Sequence, residues 1–118
     1  MKHIAVIDFD NTIARSHYPT IIEPIDETVN FIKALQKHDN WCWILWTCRE
    51  GKELNEALKW LELHCLYPDY VNNNATSLIA RFNSNPRKVI GTCIIDDLNY
   101  GGLKVPPVEY LDKVDGSK

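Results

Sequence analysis

The sequence predicts an α/β fold: a single three-layer, Rossmann-like domain over residues 1–118, built on a parallel sheet. Three observations carry this reading. Residues 4–7, 41–46 and 93–95 form near-continuous apolar runs, as strands buried on both faces of a parallel sheet do. Amphipathic stretches of helical period follow the first two runs. Each run also ends in reactive polar groups: Asp8-Phe9-Asp10-Asn11-Thr12, Thr47-Cys48-Arg49 and Asp96-Asp97. Ligands of open α/β sheets bind outside the carboxyl ends of the strands, so these ends should converge on one crevice.

Taken in order, residues 13–24 read as a loop, because Pro19 and Pro24 discourage an early helix. A helix starts at Pro24 or Asp26 and runs to about His38, with Glu27 in its first turn and Val29, Ile32 and Leu35 at helical spacing. Asp39-Asn40 turns the chain into the second strand. Glu50-Gly51 precedes a second helix in which Leu54, Leu58, Leu61 and Leu63/Cys65 recur near a 3.6 period and Lys52, Glu53, Glu56, Lys59 and Glu62 cover the outer faces. Two βα units in succession imply right-handed crossovers and parallel strands. Tyr70-Val71 is a short third strand, with the polar loop Asn72-Asn73-Asn74 at its end. Residues 75–86 suit a short helix or an irregular flap. Val108-Glu109-Tyr110-Leu111, behind two prolines, reads as an edge strand and residues 112–118 as a frayed tail.

At 118 residues and 13.6 kDa the chain has room for one core and no second folding unit. Its charge of −3 provides no global field to attract polyanions, so an anionic ligand must be held by local cations or a metal. No apolar stretch approaches the roughly 18 residues of a membrane span, and the run before Asp8 is too short for a signal-peptide core, so a cytoplasmic protein without a membrane partner is expected. Cys42, Cys48, Cys65 and Cys93 show no C-x-x-C spacing and read as reduced thiols rather than zinc ligands or disulfides.

In an extended strand residues i and i+2 share a face, so Asp8 and Asp10 can address one site while Phe9 faces the core. Carboxylates held so close repel one another, and a divalent cation would neutralise them. An all-oxygen set from Asp8, the Asp10 carbonyl, an acid of the Asp96-Asp97 pair and water suits Mg²⁺ and does not select zinc.

These motifs resemble the haloacid dehalogenase superfamily of aspartate-nucleophile hydrolases, and the resemblance extends from Ile4 to about Gly102. Asp8-Phe9-Asp10-Asn11-Thr12 is similar to the first motif, D-x-D-x-T. Thr47 stands at the second, Lys88 where the basic third falls, and Asp96-Asp97 at the acidic fourth. The short connections from Thr12 to Thr47 and from Thr47 to Lys88 leave no room for the cap domain common in that superfamily, so the resemblance is to a small capless member.

The resemblance implies a Mg²⁺-dependent phosphatase. Asp8 would attack phosphorus to give an aspartyl-phosphate. Asp10 would protonate the leaving oxygen and then activate water. Thr47 would hold phosphoryl oxygens and Lys88 would balance charge at Asp8, with Arg87 and Arg81 as neighbouring alternatives. The metal set would be Asp8, Asp10, Asp97 and Asp96, with Asp97 the first choice for direct ligation and Asn99 able to join through a water. Thr12, Cys48, Arg49, Asn74 and Arg81 would line the substrate crevice, Arg49 either as a phosphate clamp or in an ion pair with Glu50 or Glu53.

Without a cap, the site admits a phosphorylated macromolecular end or a phosphorylated small molecule, the latter with a neighbouring subunit as cover in a homo-oligomer. The acidic balance and the lack of a basic-aromatic stripe disfavour nucleic acid. The alternative class is a phospho-accepting signalling module or a noncatalytic phosphate-binding module of similar fold. Receivers, however, gather their acidic pair after the first strand, and a degenerate binder would have lost Asp8 or Asp10.

Overall fold

A computed structural model describes residues 2–116. Strand β1 (His3–Ile7) opens the chain and leads, through a tight turn, into an antiparallel hairpin of β2 (Ala14–His17) and β3 (Thr20–Pro24). Helix α1 (Asp26–Gln36), strand β4 (Trp41–Leu45) and helix α2 (Gly51–Leu63) follow. Next come the two-residue strand β5 (Tyr70–Val71), helix α3 (Thr76–Phe82), strand β6 (Cys93–Ile95) and helix α4 (Glu109–Asp115). Strands β5, β4, β1 and β6 form one parallel sheet in that order, as the apolar runs predicted.

Alternation within each apolar run sorts its side chains onto two covered faces. Ala5, Ile7, Trp41, Trp43 and Leu45 join a core completed by Val29, Phe31, Ile32 and Leu35 of α1, Ala57 and Leu61 of α2, and Leu111 of α4. Ile4, Val6, Cys42 and Ile44 pack instead with Ala75 and with Leu78 of α3. Along β1 and β4 both faces are therefore covered, which is why those runs carry no polar residue at every second position, whereas Ile94 of β6 is 54% exposed. The three layers are two helical coats with the sheet between them.

Two expectations need correction. Residues 13–24 form a hairpin rather than an irregular loop: Pro19 sits in its turn, after a cis Tyr18–Pro19 bond, and Pro24 pairs with Ala14 at its end. Proline excludes a central strand position but not these two. The expected edge strand at residues 108–111 and the frayed tail after it are helix α4, up to Asp115; residues 117–118 lie outside the described residues. Leu111 is buried, its carbonyl accepts the Trp41 indole N–H at 3.0 Å, and His38 and His3 bond Asp112 and Asp115 at 3.0 and 3.1 Å. Those contacts dock a segment whose local pattern fits either period.

All four cysteines are free thiols, but only Cys42 is buried, Cys93 is partly so, and Cys48 and Cys65 are exposed. Among the described residues no helix is long and apolar enough to cross a membrane.

Candidate active site

The pairing registers set Ile7 beside both Leu45 and Ile95, so the chain leaves β1, β4 and β6 at one level. Two further bonds carry the sheet one step past those strands: Asp8 N–H donates to Ile95 O at 3.0 Å and Trp46 N–H to Ile7 O at 2.9 Å. Beyond Asp8 the backbone wraps around one acceptor, since the N–H groups of Thr12, Ile13 and Ala14 all reach the Phe9 carbonyl at 2.9–3.2 Å. Asn11 takes the left-handed conformation at the apex (φ 58°), which asparagine tolerates better than most residues. The turn drives Phe9 into the core, edge-on to Trp60.

Asp8, Asp96 and Asp97 form the acidic centre, with one carboxylate oxygen from each lying within 4.8 Å of the others. Thr12, fully buried, ties it together: its hydroxyl lies 3.4 Å from Asp8 Oδ2 and 3.2 Å from Asp97 Oδ1, and accepts the Asp97 N–H at 3.0 Å. A hydroxyl has one hydrogen to donate, so only one of the two carboxylates receives it at a time. Asp96 accepts the Leu98 N–H at 2.9 Å, which fixes its orientation. Burial, reinforced by the neighbouring Asp96 and Asp97, pushes the Asp8 carboxyl up to about 7. Three carboxylates gathered in this way could hold a metal ion. Asn99 turns its amide to the Ile94 carbonyl at 3.4 Å.

Asp10 stands apart from this centre. Its carboxylate receives Arg49 in a two-point fork, Nε to Oδ2 at 2.9 Å and Nη2 to Oδ1 at 2.7 Å. Burial pushes the Asp10 carboxyl upward, but hydrogen bonds from Arg49 and Ser16 and the guanidinium charge outweigh it and hold the group below its ordinary range. Arg49 itself is 1% exposed, lies over the rings of Phe9 and Tyr18, and donates to Pro19 O at 3.1 Å and Glu53 O at 3.3 Å. It therefore joins the hairpin, the first turn of α2 and Asp10, and its fork faces Asp10 rather than an open phosphate position. Its acidic partner is Asp10, in place of Glu50 or Glu53.

Thr47 follows β4 on the strand next to β1. Asn72, left-handed after β5 (φ 50°), accepts the Thr47 N–H through Oδ1 at 2.7 Å, and Thr47 Oγ1 accepts the Arg49 N–H at 3.1 Å. The hydroxyl hydrogen of Thr47 is thus left to donate elsewhere. An asparagine directly after a strand, able to adopt positive φ, is the sequence signal for this contact.

The remaining expected residues have these surroundings. Asn74 is buried, and its amide bridges Asn85, the Pro86 and Lys88 carbonyls and the Ile90 N–H at 2.7–3.3 Å, stapling residues 85–90 against the second core. Lys88 is exposed and, among the described residues, makes no ion pair with Asp8. Arg81 is exposed, near the Phe82 ring, and Cys48 is an exposed thiol beside Thr47.

Fold and centre define an α/β protein whose inner strand β1 delivers an aspartate to a cluster completed from the adjacent strand β6. The chain is similar to a solved structure of a conserved protein from Bacteroides thetaiotaomicron, at 30% identity and a TM-score of 0.77, over 100% of this chain and 93% of the other. It belongs to that protein's family. No protein-family model matches the chain, and no curated protein does.

Proposed function

We propose that this protein is a Mg²⁺-dependent phosphohydrolase that acts through an aspartyl-phosphate on Asp8. The observation that carries the reading is the convergence of Asp8 with Asp96 and Asp97 at adjacent strand ends. The resemblance of the four ordered motifs to the haloacid dehalogenase superfamily supports it. Asp8, Asp96 and Asp97 would hold Mg²⁺, which when bound would offset their repulsion and the charge of a phosphoryl group. Asp8 attacks phosphorus and the bond to the leaving oxygen breaks; water then opens the acyl phosphate and restores the carboxylate. Thr47, fixed by Asn72, presents its hydroxyl to a phosphoryl oxygen. Thr12 keeps Asp8 and Asp97 at their separation from within the fold.

The test is turnover of an aryl phosphate with Mg²⁺ by the wild type and by Asp8→Asn. Chelator-sensitive release of phosphate, lost in the folded Asp8→Asn protein, is the expected result. Near wild-type turnover by that variant would sink the assignment of Asp8.

A further inference from the structure

We propose that the outer face of helix α2, with the hairpin strip beside it, is the contact surface for a second copy of this chain, paired about a two-fold axis with the two α2 helices antiparallel. The inference does not depend on the phosphohydrolase reading above.

Helix α2 buries Ala57 and Leu61, with Leu54 and Leu58 partly buried against the same core. On the opposite side Lys52, Glu56, Lys59 and Leu63 follow one another at spacings of four, three and four residues, which puts them on a single seam of the helix. All four are exposed. Leu63, which helical period alone groups with the inner leucines, is 82% exposed. A charged outer face is ordinary for an amphipathic helix, but two features set this one apart. Beside the seam runs an open groove of about 550 Å³ between α2 and residues 19–21 of the hairpin, with Pro19, Ile21, Trp60 and Leu63 among its walls. Among the described residues, Lys52, Glu56 and Lys59 also form no ion pair, although Glu56 and Lys59 lie one helical turn apart.

The order of charges along the seam selects the occupant. In an isologous contact each pair of facing residues recurs in reverse by symmetry. With the axis passing midway between Glu56 and Lys59, Glu56 faces Lys59 of the second copy and Lys59 faces its Glu56, so two opposite-charge contacts form at once. Leu63 of each copy then meets the Lys52 end of the other helix, where Pro19 and the aliphatic stem of Lys52 cover it. Parallel pairing in register would instead set Glu56 against Glu56 and Lys59 against Lys59. A uniformly acidic or basic partner would meet repulsion at every second position. Pro19 borders the groove and its carbonyl accepts the Arg49 guanidinium at 3.1 Å, so a second copy seated there would also brace the hairpin that Arg49 ties to Asp10.

The experiment is analytical ultracentrifugation of the full chain from micromolar to millimolar concentration, with circular dichroism on every variant. The wild-type mass should climb from 13.6 kDa toward twice that value. Glu56→Lys or Lys59→Glu makes both symmetric contacts repulsive at once, so each should raise the dimer dissociation constant by about tenfold or more. The double variant Glu56→Lys/Lys59→Glu, which only exchanges the two charges, should dimerise like the wild type. Mixing the two single variants should produce a heterodimer, since each supplies the charge that the other lacks; a change confined to one helix would not do so. Leu63→Ser should weaken association at any salt concentration, whereas high salt should narrow the difference between the charge variants and the wild type. A wild type that stays monomeric across the range, a dimer that neither charge reversal weakens, or two weakened variants that fail to associate when mixed would overturn the proposal. Should a charge variant fail to fold, Leu63→Ser decides, and unchanged dimerisation of that variant overturns the proposal.

Discussion

The side-chain oxygen of Asn72 accepts the backbone N–H of Thr47 at 2.7 Å, across the gap between the ends of β5 and β4. Asn72 thus serves two purposes: it takes the left-handed turn that ends a two-residue strand, and it sets the direction in which Thr47 enters the crevice. Asn72→Ala should lower kcat/KM for an aryl phosphate by about tenfold, equivalent to roughly 1.4 kcal/mol. Asn72→Asp, which keeps the acceptor, should lose less than Asn72→Gly, which keeps only the backbone freedom. Steady-state kinetics on the three variants checks the order.

Thr12→Val should separate the hydroxyl from its volume. The Asp97 N–H would lose its acceptor and both carboxylates their shared neighbour. A buried donor left without a partner costs about 1–3 kcal/mol, and the fall should appear in urea denaturation, with Thr12→Ser close to wild type. Mg²⁺ affinity measured by calorimetry should weaken in parallel, because the valine no longer sets the Asp8–Asp97 separation.

The raised Asp8 carboxyl has a signed consequence for stability. Its folded pKa of about 7 lies above its ordinary value of 3.8, so the folded state holds this proton more tightly than the unfolded chain. The contribution is fully present below about pH 4 and is lost as pH rises toward about 7. Asp10, held low, works the other way: its contribution is present above its ordinary pKa and disappears on acidification below it. Metal-free wild type should therefore lose stability relative to Asp8→Asn between pH 4 and 7, and millimolar Mg²⁺ should reverse the loss at pH 7 in the wild type only. Denaturation midpoints across pH, with EDTA or with Mg²⁺, test both arms.

Gly91 marks a close approach rather than a turn. A Cβ there would stand 2.6 Å from Val6 Cγ2 and 3.2 Å from the Ile4 carbonyl, just where the chain meets β1 on its way into β6. Gly91→Ala should destabilise by about 1–3 kcal/mol. Pairing it with Val6→Ala should recover part of that loss, so the double mutant should be less destabilised than the sum of the two single changes. Thermal melts of the four proteins give the coupling.

The sheet could be read from the sequence because its central strands β1 and β4 are covered on both sides, which turns burial into uninterrupted apolar runs with polar punctuation at the ends. That punctuation also located Asp8, Asp96 and Asp97. Residues whose positions depend on distant partners could not be read in this way. Arg49 lies against a hairpin that the two prolines had disguised as a loop, so neither its burial nor its pairing with Asp10 followed from local pattern. Asn74 was expected at the rim because asparagine runs mark loops; its partners, the carbonyls of Pro86 and Lys88, follow an irregular excursion with no periodicity. At the carboxyl end, Val108-Glu109-Tyr110-Leu111 fits an alternating pattern, and the helix emerges only once Val114 is grouped with Leu111 on the core side.

The level at which β1, β4 and β6 release the chain also sets where this protein can change length. One residue inserted in β1 would advance Asp8 by about 3.3 Å and turn it toward the opposite face of the sheet. No compensating slip in β6 could restore it without displacing Asp96 and Asp97 in turn. The Ser16–Thr20 side of the hairpin has a different constraint: it is anchored through Pro19 and Tyr18 to Arg49, outside the sheet registers. Insertions and deletions should therefore be excluded from the three strands, while the stretch between Asn83 and Arg87, exposed throughout, can vary in length so long as the Asn74 staple keeps its carbonyls.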